Sequence, residues 1–149
     1  MTPSPPRDDE RAFLASYDAD RFPHPSVAVD VVLLSLRSRE LVVGLLARDE
    51  HPQRGKWALP GGFVRMDESL DAAAARVLAD KAGLRCVFVE QLYTFGEPRR
   101  DPRTRVISVA YYALVSTARL SGIEAGALAF GRLRVPWPGE EGGPVTVLD

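Results

Sequence analysis

Residues 61–84 read GGFVRMDESLDAAAARVLADKAGL, a run in which a pair of glycines is followed by acidic residues and an alanine-rich segment. Ser69 is placed to cap a helix, because its side chain can accept a hydrogen bond from a free amide in the first turn. The alanine-rich run 70–82 predicts the helix itself, and Gly83 can adopt the left-handed conformation that ends many helices. The two glycines that open the stretch allow a sharp turn or a close approach to a ligand. The stretch therefore predicts a glycine turn followed by a capped helix.

Runs rich in β-branched and aromatic residues lie on both sides of this helix and are typical of strands. The predicted strands are 26–36, 41–46, 57–59, 84–95 and 106–115, with weaker candidates at 127–135 and 145–148. The first two runs are joined by the polar residues 37–40, which predicts a hairpin, and residues 136–144 are predicted to form a loop. Strands around one strong helix indicate an α/β or α+β fold.

The composition is that of one domain, with 149 residues of which 46% are hydrophobic. A chain of this length can bury a core without a disulfide or a metal. The 19 Lys and Arg residues nearly balance the 20 Asp and Glu residues, which argues against a dedicated nucleic-acid-binding domain. The longest apolar run, 27–36, is too short to span a membrane. With a single cysteine, Cys86, and no apolar signal segment, the protein is predicted to be cytoplasmic.

The predicted organisation is a tail and lead-in at residues 1–21 followed by one domain at residues 22–149. The tail begins MTPSPPRDDE and is stiffened by prolines. Four apolar side chains are candidates to pack the lead-in onto the domain: Phe13, Leu14, Tyr17 and Phe22. The chain ends in the alternating apolar run VTVLD, which favours a fragment of a longer protein over a complete domain.

The spacing within residues 61–84 resembles the Nudix box. That signature is glycine, five residues, Glu, seven residues, Arg-Glu, an aliphatic residue, any residue, Glu-Glu, any residue, glycine and an aliphatic residue. The matching positions are Gly62, Glu68, Arg76, Leu78, Gly83 and Leu84. Residues 57–64 (WALPGGFV) and 91–115 (QLYTFGEPRRDPRTRVISVAYYALV) resemble the ADP-ribose pyrophosphatase-like branch of the family. They are also similar to the Nudix-related transcriptional regulators of NAD metabolism.

This resemblance covers about residues 22–115 and implies an αβα sandwich around a mixed β-sheet. It places the ligand cleft at the glycine end of the box helix. Three acidic positions of the box hold other residues here: Val77, Asp80 and Lys81. At about 100° per helical residue these positions share one face, where three carboxylates would bind Mg²⁺ or Mn²⁺ and bridge a diphosphate. Because Val77 offers no ligand and Lys81 offers an ammonium group, we expect diphosphate binding to be retained better than hydrolysis.

The loop 99–105 is crowded with arginines, whose planar guanidinium groups bind phosphates through paired hydrogen bonds. It is a candidate to bind the diphosphate and ribose of a nucleotide, and the alternative is a solvated loop with internal Arg–Asp pairs. The full set of predicted ligand-binding residues is Arg48, Gly61, Gly62, Arg76, Lys81, Arg99, Arg103 and Arg105. Arg76 is also a candidate to orient a neighbouring carboxylate, that of Glu68 or Asp80.

In an active enzyme, the predicted catalytic residues are Glu68, Asp80 and Glu97. Glu68 and Asp80 would then hold Mg²⁺ or Mn²⁺ in a weak site. Trp57 is a candidate to stack on an adenine, but a place in the core is the preferred interpretation.

The resemblance implies a domain that binds a nucleoside diphosphate derivative, ADP-ribose above all, as the sensor of a transcriptional regulator. The alternative is an active Nudix hydrolase that cleaves ADP-ribose to AMP and ribose 5-phosphate with Mg²⁺. A third interpretation is a protein-interaction domain that has lost ligand binding. The resemblance also implies a homodimer, and DNA binding only through a winged-helix domain outside this chain. No membrane partner is expected.

Overall fold

A mixed sheet with one long helix packed against it forms the centre of the fold in the computed structural model, which describes residues 7–121, 123, 128–134 and 146–148. The helices are α1 (Arg7–Ser16), α2 (Leu70–Ala82) and α3 (Thr117–Leu120), with a 3-10 turn at Ala19–Arg21. The strands are β1 (Ser26–Arg37), β2 (Glu40–Ala47), β3 (Trp57–Ala58), β4 (Gly61–Phe63), β5 (Glu90–Phe95), β6 (Val106–Leu114), β7 (Ala129–Arg134) and β8 (Thr146–Leu148).

The sheet is built around β1. Its order is β5-β6-β1-β2-β7-β8, with β3 paired to β2 and β4 paired to β1. The pairing of β1 with β6 is parallel, whereas the other pairings are antiparallel. On its other edge, β1 pairs first with β4 and then with β2. The predicted α+β class and mixed sheet are therefore confirmed.

Helix α2 begins and ends where the sequence predicts. The side chain of Ser69 accepts a hydrogen bond from the amide of Ala72 at 3.1 Å, and Gly83 ends the helix in the left-handed conformation with φ of 66°. The buried face of α2 consists of Ala73, Ala74, Val77, Leu78 and Ala82. Because alanine side chains are short, this face lies close against the sheet.

Burial alternates along β1, as expected for a strand with two different faces. Val29, Val31 and Leu33 are fully buried in the same core cluster as the apolar face of α2. The intervening positions, including Ala28 and Asp30, are only partly buried and lie on the opposite face. This alternation places the one acidic residue of β1 on the face that α2 does not cover.

Three expectations are wrong in detail. The strand predicted over 84–95 begins only at Glu90, because Val87 and Val89 pack on the core without joining the sheet. The four apolar lead-in side chains are 52–64% exposed and do not pack on the domain. Trp57 is 59% exposed rather than buried in the core. The loop predicted at 136–144 lies outside the described residues.

The other strand predictions are confirmed within a few residues. The weak candidates at 127–135 and 145–148 correspond to β7 and β8. The tail and domain boundary near residue 21 stays a prediction, although residues 7–16 of the tail form α1. None of the described helices is long and apolar enough to cross a membrane.

Candidate functional site

The two glycines of β4 bring the backbone close to its neighbours on both faces of the sheet. A Cβ atom at Gly61 would overlap Oδ1 of Asp30 and would lie 3.0 Å from the carbonyl oxygen of Val29. A Cβ atom at Gly62 would lie 3.3 Å from Cγ2 of Val77 on α2. Glycine is therefore needed at position 61 because Asp30 occupies the space that a side chain would fill.

A cavity of about 560 Å³ opens beside these glycines, which is within the usual size range of small-molecule sites. Its wall is formed by β1, β2, β3, β4 and the loops that follow β2 and β5, together with Lys81 of α2. Its charged lining residues are Asp30, Arg48, Asp49, Glu50, Lys81, Arg100, Asp101 and Arg103. Acidic and basic groups are equally numerous among them, so the pairing of each group decides which charges can bind a ligand.

Arg103 is held in place by Asp101. Its Nε donates to Oδ1 at 3.0 Å and its Nη2 donates to Oδ2 at 2.8 Å. These bonds and the Arg103 amide lower the pKa of the Asp101 carboxyl to about 2. The guanidinium also lies 5.4 Å from the centre of the Phe63 ring, within the range of a cation–π contact. The internal Arg–Asp pair considered from the sequence is thus present, and it orients Arg103 along the cavity wall.

The remaining cations of the wall differ in their freedom to bind an anion. Nε of Arg48 donates to the carbonyl oxygen of Pro52 at 2.8 Å. The side chains of Lys81 and Arg100 make no hydrogen bond or ion pair with any residue that the structure describes. Lys81 and Arg100 are therefore the cations of this wall with the most hydrogen-bonding capacity left for a ligand.

Glu68 and Arg76 form a paired contact next to the glycine strand. Nε of Arg76 donates to Oε2 of Glu68 at 2.8 Å, and Nη2 donates to Oε1 at 2.5 Å and to the carbonyl oxygen of Phe63 at 3.0 Å. The Arg65 amide also donates to Oε1. The Arg76 hydrogen bonds, followed by that from the Arg65 amide, lower the pKa of Glu68 to about 2. The pair fastens the loop after β4 to α2.

The three altered box positions have different surroundings. Val77 is 1% exposed and belongs to the core, whereas Asp80 and Lys81 are exposed. Within the described part of the chain, no three His, Cys, Asp or Glu side chains are grouped so as to hold a metal ion. Both oxygens of Glu68 already accept hydrogen bonds from Arg76. Together with the hydrogen bond from the Arg65 amide, these contacts leave few lone pairs of Glu68 for a cation.

A scan against protein-family models matches residues 24–128 to the NUDIX domain. The chain belongs to the Nudix family. The match includes the cavity wall, the box helix and the arginine loop, so the site described above lies within the Nudix domain.

Two curated relatives are similar to this Nudix domain. One is the ADPR responsive transcriptional repressor NtrR of Acinetobacter baylyi, which is 39% identical over 109 residues, covering 72% of this chain and 44% of the relative. The other is the ADP-ribose pyrophosphatase of Methanocaldococcus jannaschii, which is 35% identical over 88 residues, covering 59% of this chain and 50% of the relative. The chain spans about half the length of the curated relatives it matches.

A solved structure shares the fold as well. The NUDIX domain of Shewanella oneidensis NrtR, crystallised with ADP ribose, is similar to this chain with a TM-score of 0.70 and 34% identity. The match covers 83% of this chain and 81% of that domain. The Nudix fold is therefore shown by structure as well as by sequence.

The structure separates the predicted site residues of this Nudix domain into two groups. Those that line the cavity are Arg48, Gly61, Gly62, Lys81 and Arg103. Those that lie outside its lining are Glu68, Arg76, Asp80, Glu97, Arg99 and Arg105. In the second group, Nη1 of Arg105 donates to the carbonyl oxygen of Gly96 at 2.8 Å.

Five charged lining residues were not among the predicted site residues: Asp30, Asp49, Glu50, Arg100 and Asp101. The signal for Asp30 was present, because it is the one charged residue within the run 27–36. For Arg100 the sequence shows only that it belongs to the arginine-rich loop. Which of its neighbours faces the cavity depends on the conformation of that loop.

Proposed function

We propose that this Nudix domain binds a nucleoside diphosphate derivative, with ADP-ribose as the preferred ligand, and does not hydrolyse it. The observation that carries the proposal is Lys81, an exposed cation of the cavity wall at a box position that is a glutamate in the family signature. An ammonium group attracts a diphosphate and repels a divalent cation. The box is therefore degenerate in a way that favours binding over catalysis.

The pairing of charges in the wall supports a diphosphate ligand. No described residue accepts a hydrogen bond from the side chain of Lys81 or Arg100, and Arg103 is oriented by Asp101. Hydrogen bonds from cationic donors to phosphate oxygens are short and strong. Binding would thus rest on Lys81, Arg100 and Arg103, with the backbone of the glycine strand close enough for direct contact.

The role we infer is that of a ligand sensor in a transcriptional regulator. The support is the similarity to the Acinetobacter repressor and to the Shewanella domain crystallised with ADP ribose. DNA contacts would then belong to a part of the regulator outside this Nudix domain. We also propose a homodimer, which light scattering of the purified chain would test.

The second candidate is an active hydrolase that cleaves ADP-ribose. It is favoured by the similarity to the Methanocaldococcus pyrophosphatase and by the exposed carboxylate of Asp80 beside Lys81. Such an enzyme would use Glu68, Asp80 and Glu97 with Mg²⁺ or Mn²⁺. The pairing of Glu68 with Arg76 opposes this candidate, because it leaves that carboxylate few free lone pairs.

Isothermal titration calorimetry with ADP-ribose in the presence of Mg²⁺ tests both candidates at once. Saturating heats with a flat baseline are expected for a domain that binds without cleaving. A sustained power signal that ends when the ligand is consumed would make the protein a hydrolase. If no heat is observed, ligand binding has been lost and the interpretation as a protein-interaction domain gains support.

A matched pair of variants tests the role of the cation. Lys81→Met is expected to weaken ADP-ribose binding by roughly tenfold to a hundredfold, since hydrogen bonds to charged groups contribute roughly 1.5–3 kcal/mol. Lys56→Met removes the other lysine of the chain, which lies outside the cavity lining, and should leave the affinity unchanged. Equal affinities for the two variants would contradict the assignment of Lys81.

A further inference from the structure

The carboxylate of Asp30 belongs to the part of the cavity lining that the central strand β1 forms, which we call the floor. It lies in β1 between the buried residues Val29 and Val31, on the face that α2 does not cover. The hydroxyl of Ser108 on the parallel neighbour β6 donates a short hydrogen bond to Oδ2 of Asp30. Ser108 is itself almost fully buried, so one carboxylate oxygen is held by a rigid part of the sheet.

The second oxygen, Oδ1, lies against the backbone of Gly61, in the space that a Cβ atom would take. Oδ1 has no hydrogen-bond partner among the residues that the structure describes. No buried side-chain polar atom in that part of the chain lacks a partner, so Oδ1 is accessible. Because Asp30 lines the cavity, Oδ1 is an unpaired acceptor, among the described residues, on a carboxylate whose other oxygen is held by Ser108.

We propose that Asp30 is a specificity-determining residue that accepts a hydrogen bond from a hydroxyl or amino group of the bound nucleotide. The proposal rests on the proposed function, because the ligand is taken to be ADP-ribose. A carboxylate repels phosphate, so the diphosphate binds at Lys81 and Arg100 and the floor receives a donor-bearing part of the ligand. Two parts of ADP-ribose carry such donors: the adenosine and the terminal ribose.

The test is calorimetry of the full 149-residue chain with four probes: ADP-ribose, AMP, ribose 5-phosphate and inorganic pyrophosphate. Asp30→Asn is expected to weaken ADP-ribose binding by about tenfold or more, because an acceptor that carries charge is lost. Pyrophosphate binding should stay within about twofold of the wild type or strengthen, since it has no donor for Asp30. Asp9→Asn on the exposed helix α1 is the matched control and should change neither.

The fragments identify the source of the donor. If Asp30→Asn weakens the binding of AMP but not of ribose 5-phosphate, the donor belongs to the adenosine. If it weakens the binding of ribose 5-phosphate but not of AMP, the donor belongs to the terminal ribose. Either result supports the proposal. Unchanged ADP-ribose affinity in Asp30→Asn, with binding still weakened by Lys81→Met, overturns it and leaves the proposed function standing. A wild-type chain that binds none of the probes overturns both.

A second variant covers the case in which Asp30→Asn does not fold. Ser108→Ala keeps the carboxylate but removes the group that orients it, so ADP-ribose binding should weaken while pyrophosphate binding does not. A general loss of structure would weaken both probes together. Unchanged binding of ADP-ribose to Ser108→Ala, with the carboxylate no longer held, would overturn the proposal.

Discussion

Arg76 contacts both carboxylate oxygens of Glu68, through Nε at 2.8 Å and Nη2 at 2.5 Å, across eight positions of the chain. The same guanidinium donates to the carbonyl oxygen of Phe63 at the end of β4. One side chain of α2 thereby fixes the loop that leads from the glycine strand into the helix. This loop directly follows Gly61, Gly62 and Phe63, which line the cavity, although neither member of the pair does so.

The first prediction concerns the pH dependence of stability. The folded-state pKa of Glu68 is about 2, against an ordinary value of 4.5, so the folded state binds fewer protons than the unfolded chain in this range. The stabilisation of the folded state by the ionised Glu68 carboxylate is complete above about pH 4.5 and is lost as the pH falls towards 2. Glu68→Gln should therefore make stability less dependent on pH between about 4.5 and 2. The measurement is the urea midpoint of unfolding at a series of pH values in this range.

Asp101→Asn should flatten the curve in the same way, because the pKa of Asp101 is also lowered to about 2 by Arg103. Asp9→Asn removes a carboxylate from α1 and serves as the control. If Glu68→Gln and the control both show the wild-type change of urea midpoint with pH, the ion pair with Arg76 makes no contribution to acid stability.

The second prediction concerns the lack of space for a side chain at Gly61. Gly61→Ala should lower the free energy of unfolding by roughly 1–3 kcal/mol, because the new methyl overlaps the Asp30 carboxylate. Gly96→Ala, where no atom lies within 4 Å of the new Cβ, is the matched control and should cost less. Adding Asp30→Ala to Gly61→Ala should recover part of the loss. A double variant no more stable than Gly61→Ala would contradict the steric explanation.

The third prediction concerns the end of the box helix. Gly83 has a φ of 66°, and a Cβ atom added there would meet no atom within 4 Å. Glycine is therefore favoured here by the backbone conformation and not by a lack of space. Gly83→Ala should cost roughly 1–2 kcal/mol, the strain of a left-handed residue with a Cβ, measured by urea unfolding. Gly83→Asn should cost less, because asparagine tolerates this conformation. Equal losses for the two variants would show that the left-handed conformation is not the cause.

The fourth prediction restores the acids of the box. Val77→Glu combined with Lys81→Glu is expected to gain Mg²⁺-dependent release of AMP from ADP-ribose relative to the wild type. Val77 is buried, so the variant should be less stable without metal and should be stabilised by Mg²⁺ through binding linkage. Thermal melting with and without Mg²⁺ measures the second effect. A folded variant with neither gain would count against a decayed metal site.

The sequence was sufficient to predict the features that depend on local signals. The bounds of α2 follow from Ser69 and Gly83, which act within one helical turn, and both are confirmed. The strand predicted at 84–95 was too long because Val87 and Val89 have strand-like side chains but pack on the core outside the sheet. Burial alone, without a pairing partner, gives the same apolar pattern as a strand.

The composition of the cavity wall was harder to predict because it depends on register and loop conformation. The parallel pairing of β1 with β6 brings Ser108 to Asp30, and the antiparallel pairing with β4 brings Gly61 to the same carboxylate. Neither neighbour is close to Asp30 in sequence. The arginine loop shows the same limit, since Arg100 and Arg103 line the cavity whereas Arg99 and Arg105 do not.

The hydrogen bond between Asp30 and Ser108 joins residues 78 positions apart, and this separation has a consequence for the order of folding. Closing so long a loop is entropically costly, so contacts of this kind form late. The floor of the cavity is complete only after β6 has docked on β1. An incompletely folded chain, such as one still emerging from the ribosome, therefore lacks the contact that holds the Asp30 carboxylate in place.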